Sequence, residues 1–363
     1  MHFIDLQAQY QAYRDSMDAA IREVMQSAQF INGPQVARLE TELARFVGVR
    51  HAVGFASGTD SLLAVLMAWG IGPGTEVITT PFTFIATAEV IALLGATPVF
   101  VDVDPDTLNL DPAGLEPAIT PRTRAIIPVG LYGQCADLDA INAVADRHGL
   151  LCMEDGCQSF GATYRGRRSC GLSAAGVTSF FPAKPLGCCG DGGMAFTDDE
   201  TLAGRLRVIR EHGQVARYQH AMPGFNGRLD TLQAAILLAK LPHFEAEIAA
   251  RQRVADYYRT RLAGRVRLPV VRPDCLSVYA QFTIRTPHRE AVQRHLTAEG
   301  IPTAIHYPAP LHQQPVFAGL GYRAEAFPVS SQAAREVLSL PMHPFLTTDE
   351  QDRVVDALLA VLS

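Results

Sequence analysis

The chain has 363 residues, of which 48% are apolar and 19% charged, and its formal net charge is −6. That composition belongs to a globular protein with one large domain and a smaller one, and it excludes intrinsic disorder. No dense Lys/Arg run is present to track a phosphate backbone and no apolar stretch is long enough to span a bilayer, so neither nucleic acid nor a membrane is an expected partner.

The first segment with helical periodicity, Gln9–Ser27, ends near a turn signal at Asn32-Gly-Pro34. Its upstream residues, Met1-His-Phe-Ile-Asp-Leu-Gln7, lack the basic-then-apolar pattern of a signal peptide. The first strand candidate is His51–Ala56. Ser57-Gly-Thr-Asp-Ser61 follows it and opens a helix, Ser61–Trp69. Such a helix start either receives a phosphate or carboxylate on its free N–H groups or is a plain Ser/Thr cap.

Further strand candidates are Glu76–Thr79, Thr97–Val103, Arg124–Val129, Leu150–Glu154, Val177–Phe181 and Met194–Thr197. Helical patterns at Ala86–Leu94, Asp137–His148 and Glu200–His212 separate several of them. Most of these strands are apolar throughout, as expected where helices cover both faces of a largely parallel sheet. Met194–Thr197 follows a tight Gly-rich turn and is the antiparallel candidate.

From Thr231 the texture changes. A long helical stretch, Thr231–Ala263, is broken at Pro242 and leads to a strand candidate, Ser277–Arg285, and a helix, His288–Glu299. A Pro-rich connection from Pro302 to Pro315 and a final helix ending at Leu362 complete the chain. The expected division is a large α/β domain over residues 1–240, including the N-terminal helix, and a smaller C-terminal α/β domain over 241–363.

Three features carry chemistry. Lys184 stands alone between Thr178-Ser-Phe-Phe-Pro-Ala and Pro-Leu-Gly-Cys-Cys-Gly-Asp-Gly-Gly193, with no other charge from Arg168 to Asp191. Burial lowers an amine's pKa and frees it to attack a carbonyl. Asp155 ends a strand, at the edge where parallel sheets bind ligands, and could keep a ring nitrogen protonated. Phe84, just after Glu76–Thr79, either stacks on such a ring or belongs to the core.

An imine-forming amine, an anion for a pyridinium nitrogen and a helix start for a phosphate are what pyridoxal phosphate requires. Other classes find less support. There is no Walker sequence, no Gly-x-Gly-x-x-Gly after the first strand, no Gly-x-Ser-x-Gly and no His-Glu-x-x-His. The seven cysteines, 135, 152, 157, 170, 188, 189 and 275, form no Cys-x-x-Cys pair and read as reduced thiols of a cytoplasmic protein without a metal.

Gly58-Thr-Asp60, Pro81-Phe-Thr-Phe-Ile-Ala-Thr87, Glu154-Asp-Gly-Cys-Gln-Ser159, Ser179-Phe-Phe-Pro-Ala-Lys184, Gly190-Asp-Gly-Gly193, Arg228-Leu-Asp-Thr-Leu-Gln-Ala-Ala235 and His306-Tyr-Pro308 resemble the DegT/DnrJ/EryC1/StrS family of nucleotide-sugar aminotransferases. The resemblance spans nearly the whole chain. It implies the aspartate-aminotransferase fold (fold type I), with a large, mostly parallel mixed sheet and a smaller domain, and a homodimer with shared active sites.

By that resemblance Lys184 forms the imine with pyridoxal phosphate, Asp155 partners the pyridinium and Gln158 contacts the ring hydroxyl. Phe84 stacks on the ring. Gly58, Thr59 and Ser179 cradle the phosphate, and Asn226 reaches it from the neighbouring subunit. Family dehydratases have His in place of the lysine, so Lys184 argues for an aminotransferase. Gly156-Cys157 stands where the family commonly has two alanines; the glycine is expected to be sterically harmless.

Leu131-Tyr-Gly-Gln-Cys-Ala-Asp137, Arg168-Ser-Cys170, Lys184-Pro-Leu-Gly-Cys188 and Ser339-Leu-Pro-Met-His-Pro344 look like the branch of the family that aminates C3 of a UDP-linked 3-oxo-N-acetylglucosaminuronic acid. The expected partners are then the UDP-sugar and L-glutamate, with 2-oxoglutarate released, in surface polysaccharide synthesis. The alternative is a 3-oxo or 4-oxo deoxyhexose on dTDP or UDP. A sugar carboxylate needs a fixed cation, and Arg228, His306 and Tyr307 are the candidates. Arg228 could instead pair with a local acid such as Asp230.

Overall fold

A computed structural model describes residues 1–362. Seven strands form the main sheet: β1 (His51–Phe55), β2 (Glu76–Thr79), β3 (Thr97–Phe100), β4 (Thr123–Ile127), β5 (Leu151–Asp155), β6 (Ala175–Ser179) and β7 (Gly193–Thr197). Their order is β1-β7-β6-β5-β4-β2-β3. Neighbours from β6 to β3 are parallel, and β7 runs antiparallel to both β6 and β1. The strand expected to run against the others does so.

Alternate residues of each strand enter different cores. Ile78, Ile126, Cys152 and Phe196 face one cluster, while Val77, Ala125, Met153 and Ala195 face the other. Helices α3 (Gly58–Ala68), α4 (Ala86–Leu93) and α6 (Glu200–Ile209) cover the second face. Helices α2 (Pro34–Val47), α5 (Leu138–His148) and α7 (Thr231–Lys240) cover the first. Two covered faces explain why the strands read as unbroken apolar runs. Each fully buried Val, Ile or Leu stabilises the fold by about 1.5–3 kcal/mol.

A separate apolar cluster gathers α8 (Phe244–Leu262), the antiparallel pair β8 (Phe282–Arg285) and β9 (Val337–Leu340), α9 (Arg289–Ala298) and α11 (Thr348–Leu362). Pro242 does break the long helix, as a 3-10 turn over Leu241–His243. α10 (Pro328–Glu336) packs beside β8.

Several boundaries differ from expectation. α1 (Leu6–Ser27) starts earlier than Gln9, because the Asp5 carboxylate accepts from Ala8 N at 2.8 Å and caps it. The Asn32-Gly-Pro34 signal marks a turn and also the start of α2, with Gly33 as N-cap and Pro34 in the first turn. α2, α10 and β9 were not among the expected elements. Among the described residues, no helix is long and apolar enough to cross a membrane.

Candidate active site

The site is assembled at the carboxyl ends of β1, β5 and β6. After β1 the chain turns into α3, and Ser57 Oγ accepts from Asp60 N at 3.0 Å. Ser57 is therefore the cap of α3. The next N–H groups, those of Gly58 and Thr59, lie in the first turn and have no intrahelical acceptor.

Gly58 is a glycine because of what approaches it. A Cβ there would lie 2.8 Å from the Ser179 Cβ and 3.1 Å from the Cys157 Sγ. Gly193, in the Gly-rich turn after Lys184, is equally tight, since its Cβ would lie 2.3 Å from the Ser57 carbonyl oxygen. The absent side chains let three strand ends and a helix start converge.

Asp155 is buried at the end of β5. Its Oδ2 accepts from Thr87 Oγ1 at 2.7 Å, and its Oδ1 accepts from Cys157 N at 3.2 Å. Gln158 is gripped at both ends: Oε1 accepts from Tyr132 N at 3.0 Å, and Nε2 donates to Tyr307 Oη at 3.2 Å. Tyr132 Oη donates to the His306 carbonyl. His306 Nδ1 and Ser339 Oγ are 2.9 Å apart, and Ser339 Oγ is also 2.9 Å from Thr283 Oγ1.

Electrostatics tie Lys184 to this group. Its backbone N donates to Phe181 O at 2.8 Å, but its Nζ makes no hydrogen bond or ion pair among the described residues. Burial, and then the Lys184 charge, lower the His306 pKa, so His306 stays neutral more readily than a free imidazole. Burial and the Asp155 carboxylate raise the Tyr307 phenol. The Cys157 thiol is pushed far up by burial and by Asp155, with Lys184 opposing.

Phe84 is 55% exposed, which removes the core reading, and its ring centroid lies 6.4 Å from that of Tyr307. Asp155, Gln158, Phe84 and Tyr307 are thus linked directly, Lys184 acts on His306 and Cys157, and Cys157 lies beside Gly58, which Thr59 follows and Ser179 approaches.

Asn226 and Arg228 flank Gly227, whose carbonyl accepts from Ala56 N at 2.8 Å, one residue before the Ser57 cap. They share no hydrogen bond, ion pair or ring contact with that group among the described residues. Asn226 is exposed, and it caps no helix, because α7 begins at Thr231 after Asp230. Arg228 pairs with a local acid, but that acid is Glu211, 3.0 Å from Nη1, and not Asp230.

The glycine at 156 fits as expected, and the fold also requires it: a Cβ there would lie 2.3 Å from the Cys170 Sγ and 3.1 Å from the Val177 carbonyl oxygen. The space an alanine methyl would take is filled by the Cys170 sulfur. Thr87, Tyr132, Ser339 and Glu211 were not among the candidate site residues. Thr87 alone had a local signal, a buried hydroxyl in the first turn of a helix whose other polar residue is Glu89.

The profile of the DegT/DnrJ/EryC1/StrS aminotransferase family matches residues 11–359. A Pseudomonas aeruginosa protein named UDP-2-acetamido-2-deoxy-3-oxo-D-glucuronate aminotransferase is 55% identical over 96% of both chains. A Geobacillus stearothermophilus "pleiotropic regulatory protein" is 47% identical over 97% of this chain and 96% of its own. The structure of S. venezuelae DesV in complex with a ketimine intermediate superposes with a TM-score of 0.98 at 44% identity, covering 100% of this chain and 98% of that one. Sequence, fold and the residues gathered around Lys184 agree, and the chain belongs to the DegT/DnrJ/EryC1/StrS aminotransferase family.

Proposed function

We propose that the protein transfers the amino group of L-glutamate to the 3-oxo group of UDP-2-acetamido-2-deoxy-3-oxo-glucuronic acid. The products are 2-oxoglutarate and a UDP-linked 3-amino sugar, destined for O-antigen or related surface polysaccharide. The observation that carries this reading is the unbonded Lys184 amine acting on the same Cys157 that Asp155 acts on and that lies against the Gly58 helix start.

These residues fit pyridoxal phosphate. The missing Cβ of Gly58 leaves a cradle between Ser179 and Cys157, with two free N–H groups for a phosphate. Asp155, oriented by Thr87 and Cys157 N, is an anion for the ring nitrogen. Gln158 would meet the ring hydroxyl, Phe84 would stack on the ring, and Asn226 of the partner subunit would complete the phosphate site. When bound, the cofactor supplies an electron sink for the charge left on a carbon that gives up a proton.

Lys184 Nζ takes the proton from the glutamate α-carbon and, in the second half of the reaction, delivers one to C3 of the sugar. Arg228, His306 and Tyr307 receive the sugar carboxylate. Neutral His306 keeps Nε2 for a hydrogen bond, because Nδ1 is engaged with Ser339.

The active assembly we propose is a cytoplasmic homodimer with shared sites. Of the 22 residues of α1 only Met17 and Val24 are buried, and Met25, Phe30, Ile31, Phe84 and Phe181 lie exposed nearby in sequence or at the site. Apolar surface of that kind calls for a cover. The division into domains 1–240 and 241–363 is retained as part of the proposal.

The test is a panel of nucleotide-linked amino sugars run in reverse with 2-oxoglutarate, followed by cofactor absorbance. The UDP-3-amino-uronate should convert. Conversion of a dTDP-linked amino deoxyhexose in its place would reassign the substrate. The name of the Geobacillus relative favours a second reading, a cofactor-binding regulator. That reading requires no reaction with glutamate. Borohydride reduction should fix the cofactor on a peptide containing Lys184; label elsewhere would sink the assignment.

A further inference from the structure

The segment carrying Asn226 and Arg228 is stitched into the fold by its backbone. His212 N donates to Phe225 O at 3.1 Å and Gly227 N to Arg210 O at 3.1 Å. Ala56 N donates to Gly227 O at 2.8 Å, and Thr231 N to Phe30 O at 3.0 Å. One side chain spans this junction. Glu211, just past α6, accepts from Arg228 Nη1 at 3.0 Å through one oxygen and from Asn32 Nδ2 at 2.8 Å through the other.

Both oxygens of Glu211 are therefore occupied, by groups from two different parts of the chain. Arg228 has Nη1 engaged and a buried Nε with no partner, and its Nη2 makes no hydrogen bond. The pair is mostly shielded, with side-chain exposures of 20% for Arg228 and 27% for Glu211.

We propose that Glu211 is a positioning residue: by clamping Arg228 and Asn32 it fixes the free edge of the guanidinium and thereby sets the preference for a sugar that bears a carboxylate. This rests on the reading that Arg228 meets that carboxylate. Two effects oppose each other. The Glu211 charge repels an anionic ligand, but from beyond hydrogen-bond reach and through screening solvent. Its charge-assisted bond orders a side chain that would otherwise have to be immobilised at each binding event. The direct bond outweighs the screened repulsion, so removing the carboxylate weakens binding.

Glu211→Gln is the informative change. A glutamine keeps a neutral acceptor for Arg228, and a flipped Asn32 can accept from its NH2, so what the change removes is the charge that strengthens the Arg228 bond. The probes are UDP-linked 2-acetamido-3-amino-glucuronic acid and its 6-hydroxymethyl counterpart, each reacted with holoenzyme and 2-oxoglutarate. Glu211→Gln should raise KM for the uronate about tenfold, the loss expected for one charge-assisted bond. KM for the neutral sugar and the rate with glutamate alone should stay within about twofold. In an Arg228→Ala background the same change should add nothing to the uronate KM.

Asn32→Ala, at an exposed position, removes one arm of the clamp and should act in the same direction by about threefold. It keeps the idea testable if Glu211→Gln folds poorly. If Arg228→Ala leaves the uronate KM unchanged, the carboxylate reading falls and the proposal with it. If Arg228→Ala raises it but Glu211→Gln does not, or Glu211→Gln affects both sugars equally, only the proposal is overturned.

Discussion

At the end of β5, Asp155 and Glu154 point to opposite faces of the sheet, and the two faces treat a carboxylate differently. On the α3–α4 side, Asp155 has one donor for each oxygen and faces Tyr307. On the other side Glu154 is 1% exposed; Ser169 Oγ donates to its Oε2 at 2.9 Å, while Oε1 has no partner. The thiols of Cys135, Cys152 and Cys170 lie around it. Burial pushes its carboxyl up to about 7. Position on a strand end does not make an acid functional. At Glu154 burial favours the neutral form even against the Ser169 hydroxyl and the Cys170 and Leu172 backbone groups, which pull its carboxyl down.

The largest effect should come from the Asp155 face. Asp155→Asn is expected to retain cofactor but to lower kcat by about a hundredfold or more, because an amide cannot hold a ring nitrogen protonated. Near-normal turnover would mean that the two carboxylates do not differ as described.

The buried face predicts a pH effect instead. Glu154 has a folded-state pKa above its unfolded value, so the native chain keeps a proton that the unfolded chain releases. Its contribution to stability is complete below the unfolded pKa and is lost as pH rises through about 7. Glu154→Gln does not titrate there. Relative to the parent, it should gain about 3 kcal/mol between pH 4 and pH 8.5 in denaturant unfolding. A pH-independent difference would show that Glu154 is not held neutral.

The smallest effect tests the seam between the faces. Gly156→Ala pushes a methyl against the Cys170 sulfur and should cost about 1–3 kcal/mol of stability. Cys170→Ala in the same chain should restore part of that loss. Strict additivity of the two changes would remove the size-for-size exchange.

Much of this was legible in the sequence because it is written locally. Strands covered on both faces are apolar runs, Lys184 is isolated among neutral residues, and the order around Gly193 forces a reversal. What was missed depends on contacts between distant residues. Nothing near Glu211 announces that Arg228 and Asn32 converge on it. Ser339 lies on a short strand whose register with Thr283 is what brings its hydroxyl to His306. That residue 156 must be a glycine is hidden for the same reason, since Cys170 lies fourteen residues further along the chain. α2 was overlooked because Pro34 was read as ending something rather than starting it.

The backbone bonds that hold residues 225–231 bear on how this protein could be re-engineered. They run from Ala56, from the Arg210–His212 stretch and to Phe30, and none of them depends on the side chain at 226 or 228. The course of the chain and the identity of its outward groups are therefore separable. A library varied at those two positions, with residue 211 matched to them, would sample new ligands on an unaltered frame.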